Sequence, residues 1–248
     1  MGLRPGLRTP GNVRKPLVAV AAFLAIAGPV AATLWVSTPD VSDVRAREAA
    51  DVHAHGSVLL RPDQVPQLLA KAVVATEDER FYAHHGIDTI GLARAVLYDV
   101  ANRCFCQGGS TITEQLVKEL YLNGSDLGRN KIVDMVLALK VEAILDKPEI
   151  MAFYLSEIPT GLNRYGVTNA ACAYFHQSLD TLNLAEYALL AGVTNAPSVY
   201  DPTVNPTAAA SRRAAVLADM VSEGYITPAE ATSAGKEPVL ADPAGASC

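Results

Sequence analysis

At 248 residues, half of them hydrophobic and 19% charged, the chain is long enough for one sizeable core and too short for two independent catalytic domains. The formal net charge of −6 removes any global electrostatic reason to expect nucleic-acid binding and leaves only a local basic site as a place for phosphate. Four cysteines are too few for a disulfide scaffold, and Cys104-Phe105-Cys106 lacks the spacing and companions of a zinc site. Pairing of Cys104 or Cys106 with Cys172 stays open at this level.

Residues 1–16 form a basic tail with Arg4, Arg8, Arg14 and Lys15 and no acid, and residues 17–36 carry no charged side chain. At about 1.5 Å per residue a helix over that run covers roughly the 30 Å of bilayer hydrocarbon. The basic flank predicts a cytoplasmic amino terminus, with everything after about Ser37 outside the membrane. A cleaved signal peptide is the competing reading, disfavoured because the run exceeds a usual signal core. Gly28-Pro29 is a place where such a helix can kink.

Residues 37–64 are expected to be a linker with one short strand around Val58 to Leu60. From 65 to about 236 the punctuation is that of helix starts. Asp146, Asn183 and Thr227 each stand three residues before a glutamate, and Asn205 precedes a proline suited to a first helical position. The segments that follow carry helical spacing, as in Ile150, Phe153, Tyr154 and Ile158. The expected class is mainly α, and residues 237–248 are expected to be a loose tail.

Three segments can carry chemistry. In Ala75 to Gly86, three acids and two histidines follow an apolar helical run; if the helix continues, Glu77, Phe81 and His84 share one face, and Glu77 is a candidate general base. A lone acid at a helix end is more often solvated or paired. In Gln107 to Lys118 a glycine-rich turn with Gly109, Ser110, Thr111 and Thr113 leads into a helix, an arrangement suited to phosphate or sugar oxygens, with Lys118 adding charge. Thr111 with Glu114 is equally an ordinary capping box. In the helical run over 129–142, Lys131 and Asp134 either pair with each other or face a cleft together.

Taken in order, these segments resemble the family 51 glycosyltransferases, the domain of monofunctional transglycosylases and class A penicillin-binding proteins. The motif E-D-x-x-F-x-x-H-x-G matches at Glu77, Asp78, Phe81, His84 and Gly86. G-G-S-T-I-T-Q-Q matches from Gly108 to Thr113 and at Gln115, and R-K-x-x-E corresponds to Asn130, Lys131 and Asp134. K-x-x-I-x-x-x-Y-L-N corresponds to Lys147, Ile150, Tyr154 and Leu155, and R-R-x-x-V-L to Arg212, Arg213, Val216 and Leu217.

The resemblance implies a lysozyme-like helical domain with a small membrane-proximal lobe, preceded here by one transmembrane helix. It implies polymerisation of lipid II on the outer face of the cytoplasmic membrane, with release of undecaprenyl diphosphate. Glu77 and Asp134 would be the catalytic carboxylates; Asp78, Phe81, His84, Gly109, Ser110, Thr111, Thr113, Gln115, Lys118, Lys131 and Arg212 would bind substrate. A divalent metal, magnesium or manganese, is a candidate companion of the diphosphate, with none tightly bound. Expected partners are lipid II, the growing glycan strand, the membrane and other cell-wall synthesis proteins, with no nucleic acid.

Four positions depart from the family pattern: Glu114 and Ser156 each replace an amide residue, Asn130 replaces an arginine, and Asp134 is one methylene shorter than glutamate. They leave a second reading, a weakly active or inactive lipid II-binding scaffold. A lysozyme-like hydrolase is a third, since hydrolysis also uses carboxylates.

Overall fold

The four capping residues expected to start helices all do so in the computed structural model, which describes residues 14–104, 108–122 and 131–239, without the side chains of 14–24 and 26. Asp146, Asn183 and Thr227 each form a reciprocal capping box, and the Asn205 side chain accepts from the Ala208 N–H. Each cap contributes about 1 kcal/mol and satisfies N–H groups that have no partner within the helix.

The chain divides into two units, Met1–Pro39 and Asp40–Cys248. The first contains α1 (Arg14–Ser37), 24 residues that continue through Pro29, whose carbonyl accepts from Thr33 Oγ1 at 2.8 Å. No helix among the described residues is long and apolar enough to cross a membrane. The span expected over 17–36 falls partly on residues whose side chains lie outside the described ones.

The second unit is mainly α, with no extended strand among the described residues; its helices are α2 (Val44–Ala54), α3 (Gln67–Glu77), α4 (Thr89–Asn102), α5 (Ile112–Leu122), α6 (Lys131–Glu142), α7 (Lys147–Glu157), α8 (Val167–Phe175), α9 (Leu184–Val193), α10 (Pro197–Tyr200), α11 (Pro206–Ser222) and α12 (Pro228–Gly235). α7 and α9 are buried almost all round, from Ile150 to Glu157 and from Tyr187 to Val193, as expected of helices with no polar face. α9 packs against α3 and α11, and α5 against α6 and α7. The ends of α3, α5 and α9 and one side of α11 thereby converge.

The segment expected to be a linker carries α2, whose Val44, Glu48 and Val52 are buried against the domain; α2 packs on α7. No strand forms at Val58 to Leu60. Its Leu60 N–H is instead taken by the Ser156 hydroxyl at 2.9 Å, which in turn donates to Ala152 O at 2.7 Å, so a side chain does what a neighbouring strand would do. Ser156, one of the four departures, is thus a buried anchor for residues 57–60.

α4 begins at Asp88, which caps Ile90 and Gly91, and it leaves Ile90, Val96, Leu97 and Val100 more than half exposed. Cys104 beyond it and Cys172 in α8 are each disulfide-bonded. Cys106, Asn130 and the tail from 240 lie outside the described residues.

Candidate active site

α3 stops at Glu77 because Asp78 leaves helical space, at φ −160° and ψ 73°. Phe81 to Ala83 form a separate 3₁₀ turn, so Glu77, Phe81 and His84 do not share a helical face as the spacing suggested. The local cause is Asp78 itself. Its carboxylate is buried and accepts from His84 Nε2 at 2.9 and 3.0 Å and from the Ile112 N–H at 3.1 Å, the amino terminus of α5. Thr111 completes the join by donating Oγ1 to Gly86 O at 2.8 Å. Gly86 has φ +82°, and a Cβ there would sit 2.9 Å from the Ala138 carbonyl carbon, which is why the turn closes against α6 only with glycine.

These contacts sort the expected substrate-binding residues. Phe81 is fully buried with Lys147 Nζ 4.3 Å above its ring, and Thr113 is buried and donates to Glu142 at 2.6 Å. Lys147 pairs with the same carboxylate at 2.7 Å. The polar atoms of Asp78, His84, Thr111 and Thr113 that form these bonds are committed to holding α3, α5 and α6 in register. The imidazole expected beside Glu77 belongs to Asp78.

Glu77 is left on a cleft of about 530 Å³, whose walls include Glu79, Arg94, Gly108, Gly109, Ser110 and Arg212. Its side chain is only 7% exposed and is held by donors from three other parts of the chain: Gln115 Nε2 at 2.9 Å on Oε2, and Asn195 Nδ2 at 3.4 Å and Arg212 Nη2 at 3.5 Å on Oε1. Tyr154 donates its hydroxyl to Gln115 Oε1 at 3.2 Å, on the side of the amide away from the nitrogen that donates to Glu77. Burial, followed by the charge of Glu77, pushes the Tyr154 phenol well above its usual range, so it stays a donor.

Arg212 and Arg213, adjacent on α11, reach different neighbours. Arg212 reaches Gly192 O at 3.4 Å and Glu77, and Gly192 is required because a Cβ there would meet Arg212 Cγ at 2.9 Å. Arg213 is buried and donates to Gly235 O at 3.3 Å and Pro238 O at 3.4 Å, closing the end of α12.

Beside the glycine turn, Lys131 pairs with Glu114 at 2.6 Å and donates to Ser110 Oγ at 2.7 Å. Its close carboxylate partner is therefore Glu114 rather than Asp134. Burial pushes the Glu114 carboxyl up; Lys131 and the Thr111 N–H pull it down, and nearby Asp134 adds to the upward push. Asp134 sits half-buried in the first turn of α6, and Lys118 half-buried on α5; neither is a lining residue of the Glu77 cleft. Asn195, just past α9, and Asp219, which accepts from Thr76 Oγ1 at 3.3 Å on the cleft wall, were not anticipated. In sequence Asn195 reads only as a turn residue before Pro197, and Asp219 as a polar position on a helix.

The sequence model of one family, described as transglycosylase, matches residues 45–221. The chain belongs to this family, the family 51 glycosyltransferase domain of class A penicillin-binding proteins. Penicillin-binding protein 1A of Haemophilus influenzae is 44% identical over 182 residues, covering 73% of this chain and 21% of that protein. The protein of the same name from Aquifex aeolicus is 38% identical over 200 residues, covering 81% and 28%. The chain thus spans between a fifth and three tenths of the length of these relatives. A crystal structure of the Haemophilus influenzae protein aligns over 75% of this chain and 18% of that one, at 27% identity and a TM-score of 0.46. The family match begins within α2, in keeping with that helix being part of the packed unit.

Proposed function

We propose that this chain is a peptidoglycan glycosyltransferase that polymerises lipid II and releases undecaprenyl diphosphate. The observation that carries this reading is Glu77, a carboxylate on the wall of an open cleft, held by Gln115, Asn195 and Arg212. Such a carboxylate can take the proton of an acceptor 4-hydroxyl as its oxygen attacks the anomeric carbon of the growing chain. The bond from that carbon to the diphosphate oxygen breaks, the electron pair leaves with the diphosphate, and configuration inverts. Negative charge grows on the leaving group, so Lys131 and Lys118 would stabilise the transition state more than the ground state, and Asp134 would orient the donor.

Among the described residues no three His, Cys, Asp or Glu side chains are grouped to hold a metal ion. A divalent ion, magnesium or manganese, is proposed as a companion carried by the diphosphate, supplying counter-charge when bound.

The proposed setting is the outer face of the cytoplasmic membrane, with the chain anchored by residues 17–36, its amino terminus inside and its domain lysozyme-like. The exposed apolar side of α4 suits a lobe resting on lipid, and disulfide-bonded Cys104 and Cys172 suit an oxidising compartment. Lipid II, the glycan strand and other cell-wall synthesis proteins are the proposed partners.

One observation favours the second reading, a lipid II-binding scaffold: Lys131 is already paired with Glu114. The deciding experiment incubates the detergent-solubilised chain with labelled lipid II and a divalent cation, beside E77Q and D134E. Polymer from the wild type that is lost in E77Q supports the transferase. Lipid II binding without polymer supports the scaffold.

A further inference from the structure

Glu114 does two jobs at one carboxylate. Oε2 accepts the Thr111 N–H at 3.1 Å, closing a capping box with Thr111 Oγ1, which accepts the Glu114 N–H at 3.1 Å. The same oxygen holds Lys131 Nζ at 2.6 Å. Glutamine closes a capping box as well as glutamate does, so the helix start does not require the negative charge. What the charge adds is a counter-ion for Lys131.

The two partners are unequally placed. The Glu114 side chain is 3% exposed and that of Lys131 is 41% exposed. Lys131 also touches Ser110, and Ser110 lines the cleft that holds Glu77. An anion arriving along that wall can reach Lys131 without any helix moving, whereas Glu114 has no route to solvent of its own. The charged groups around Glu114 are Lys131 and Asp134 on α6 and Lys118 one turn further along α5; Glu142 and Lys147, on α6 and α7, pair with each other. Once Lys131 turns to another anion, burial and Asp134 both oppose a charge on Glu114.

We propose that Glu114 is an exchangeable counter-ion: it neutralises Lys131 in the resting site and takes a proton from water when a diphosphate draws Lys131 away. Diphosphate binding is then coupled to proton uptake, and affinity falls as pH rises because the charged Glu114 competes for Lys131. This rests on the reading of the site as one for a diphosphate leaving group. It makes Glu114 a positioning residue that sets how strongly that group is held.

The test titrates the detergent-solubilised full chain with inorganic pyrophosphate by calorimetry, in buffers of equal pH and different ionisation enthalpy. E114Q, which keeps the cap, and K131M are run alongside, with thermal melts to verify that each is folded. The wild type should take up more protons per pyrophosphate than E114Q at pH 8, by about half a proton, because the titration of pyrophosphate itself is common to both. E114Q should bind about three- to fivefold more tightly at pH 8, the scale of a partly exposed ion pair, and K131M at least about tenfold more weakly. Equal proton uptake and equal affinity in wild type and E114Q, with K131M still weakened, overturns the counter-ion role and leaves the diphosphate site standing. No binding by any variant, or binding unaffected by K131M, removes the diphosphate site and the inference with it.

Discussion

The hydroxyl of Tyr154 stands 3.2 Å from Gln115 Oε1, and the amide nitrogen of that glutamine stands 2.9 Å from Glu77 Oε2. A glutamine amide presents either face with similar ease unless a neighbour selects one. The Glu77 carboxylate, which only accepts, makes that selection by taking the nitrogen, and Tyr154, fully buried on α7, donates to the oxygen left on the other side. Gln115 thus links the catalytic candidate on α3 to a hydroxyl that it does not itself contact.

Removing the hydroxyl should therefore cost more activity than stability. In Y154F we expect turnover to fall about ten- to hundredfold, as for a reacting group left loosely placed, with about 1 kcal/mol lost from folding. Polymerisation rates beside denaturant unfolding provide the check; a rate within twofold of wild type would show that Gln115 holds its orientation unaided.

The adjacent arginines of α11 should separate function from stability. R212A removes a donor to Glu77 and is expected to lower turnover at least about tenfold with little change in melting temperature. R213A frees the carbonyls of Gly235 and Pro238 at the end of α12 and is expected to cost about 2 kcal/mol of stability. Its remaining folded fraction should turn over normally. The reverse pattern would mean that Arg213, and not Arg212, serves the cleft.

Away from the cleft, Glu48 gives α2 a pH dependence. It is fully buried against the domain, and burial first, then the charges of Glu157 and Asp51, push its carboxyl from the usual 4.5 up to about 9. The folded state therefore holds a proton that the unfolded chain has released between pH 4.5 and 9, so stability falls as pH rises through that window, by roughly 1.4 kcal/mol per unit at most. Glu157, pushed up to about 7 mainly by burial, adds to the loss with the same sign over the lower part of the window. E48Q should match the wild type near pH 4.5 and become progressively more stable than it toward pH 9. Melting curves of both proteins across that range test this; parallel curves would mean that Glu48 is not the titrating group.

What the sequence determined alone was local. Helix starts at Asp146, Asn183, Asn205 and Thr227 depend on contacts within three or four residues, and the apolar spacing of α7 depends on a helical period; both are legible along the chain. The motif residues likewise marked Glu77, Gln115 and Arg212, and the structure brings these three together. What only the tertiary structure decided is which group pairs with which. Lys131 turns to Glu114 across 17 residues instead of to Asp134 one turn away, and Arg212 reaches Glu77 across 135. Asp78 takes the histidine expected for Glu77, and Leu60 takes the hydroxyl of Ser156 where a strand was expected. An ion pair or a buried hydrogen bond is set by distance through space and by the loss of competing water, and neither quantity exists until the helices have packed.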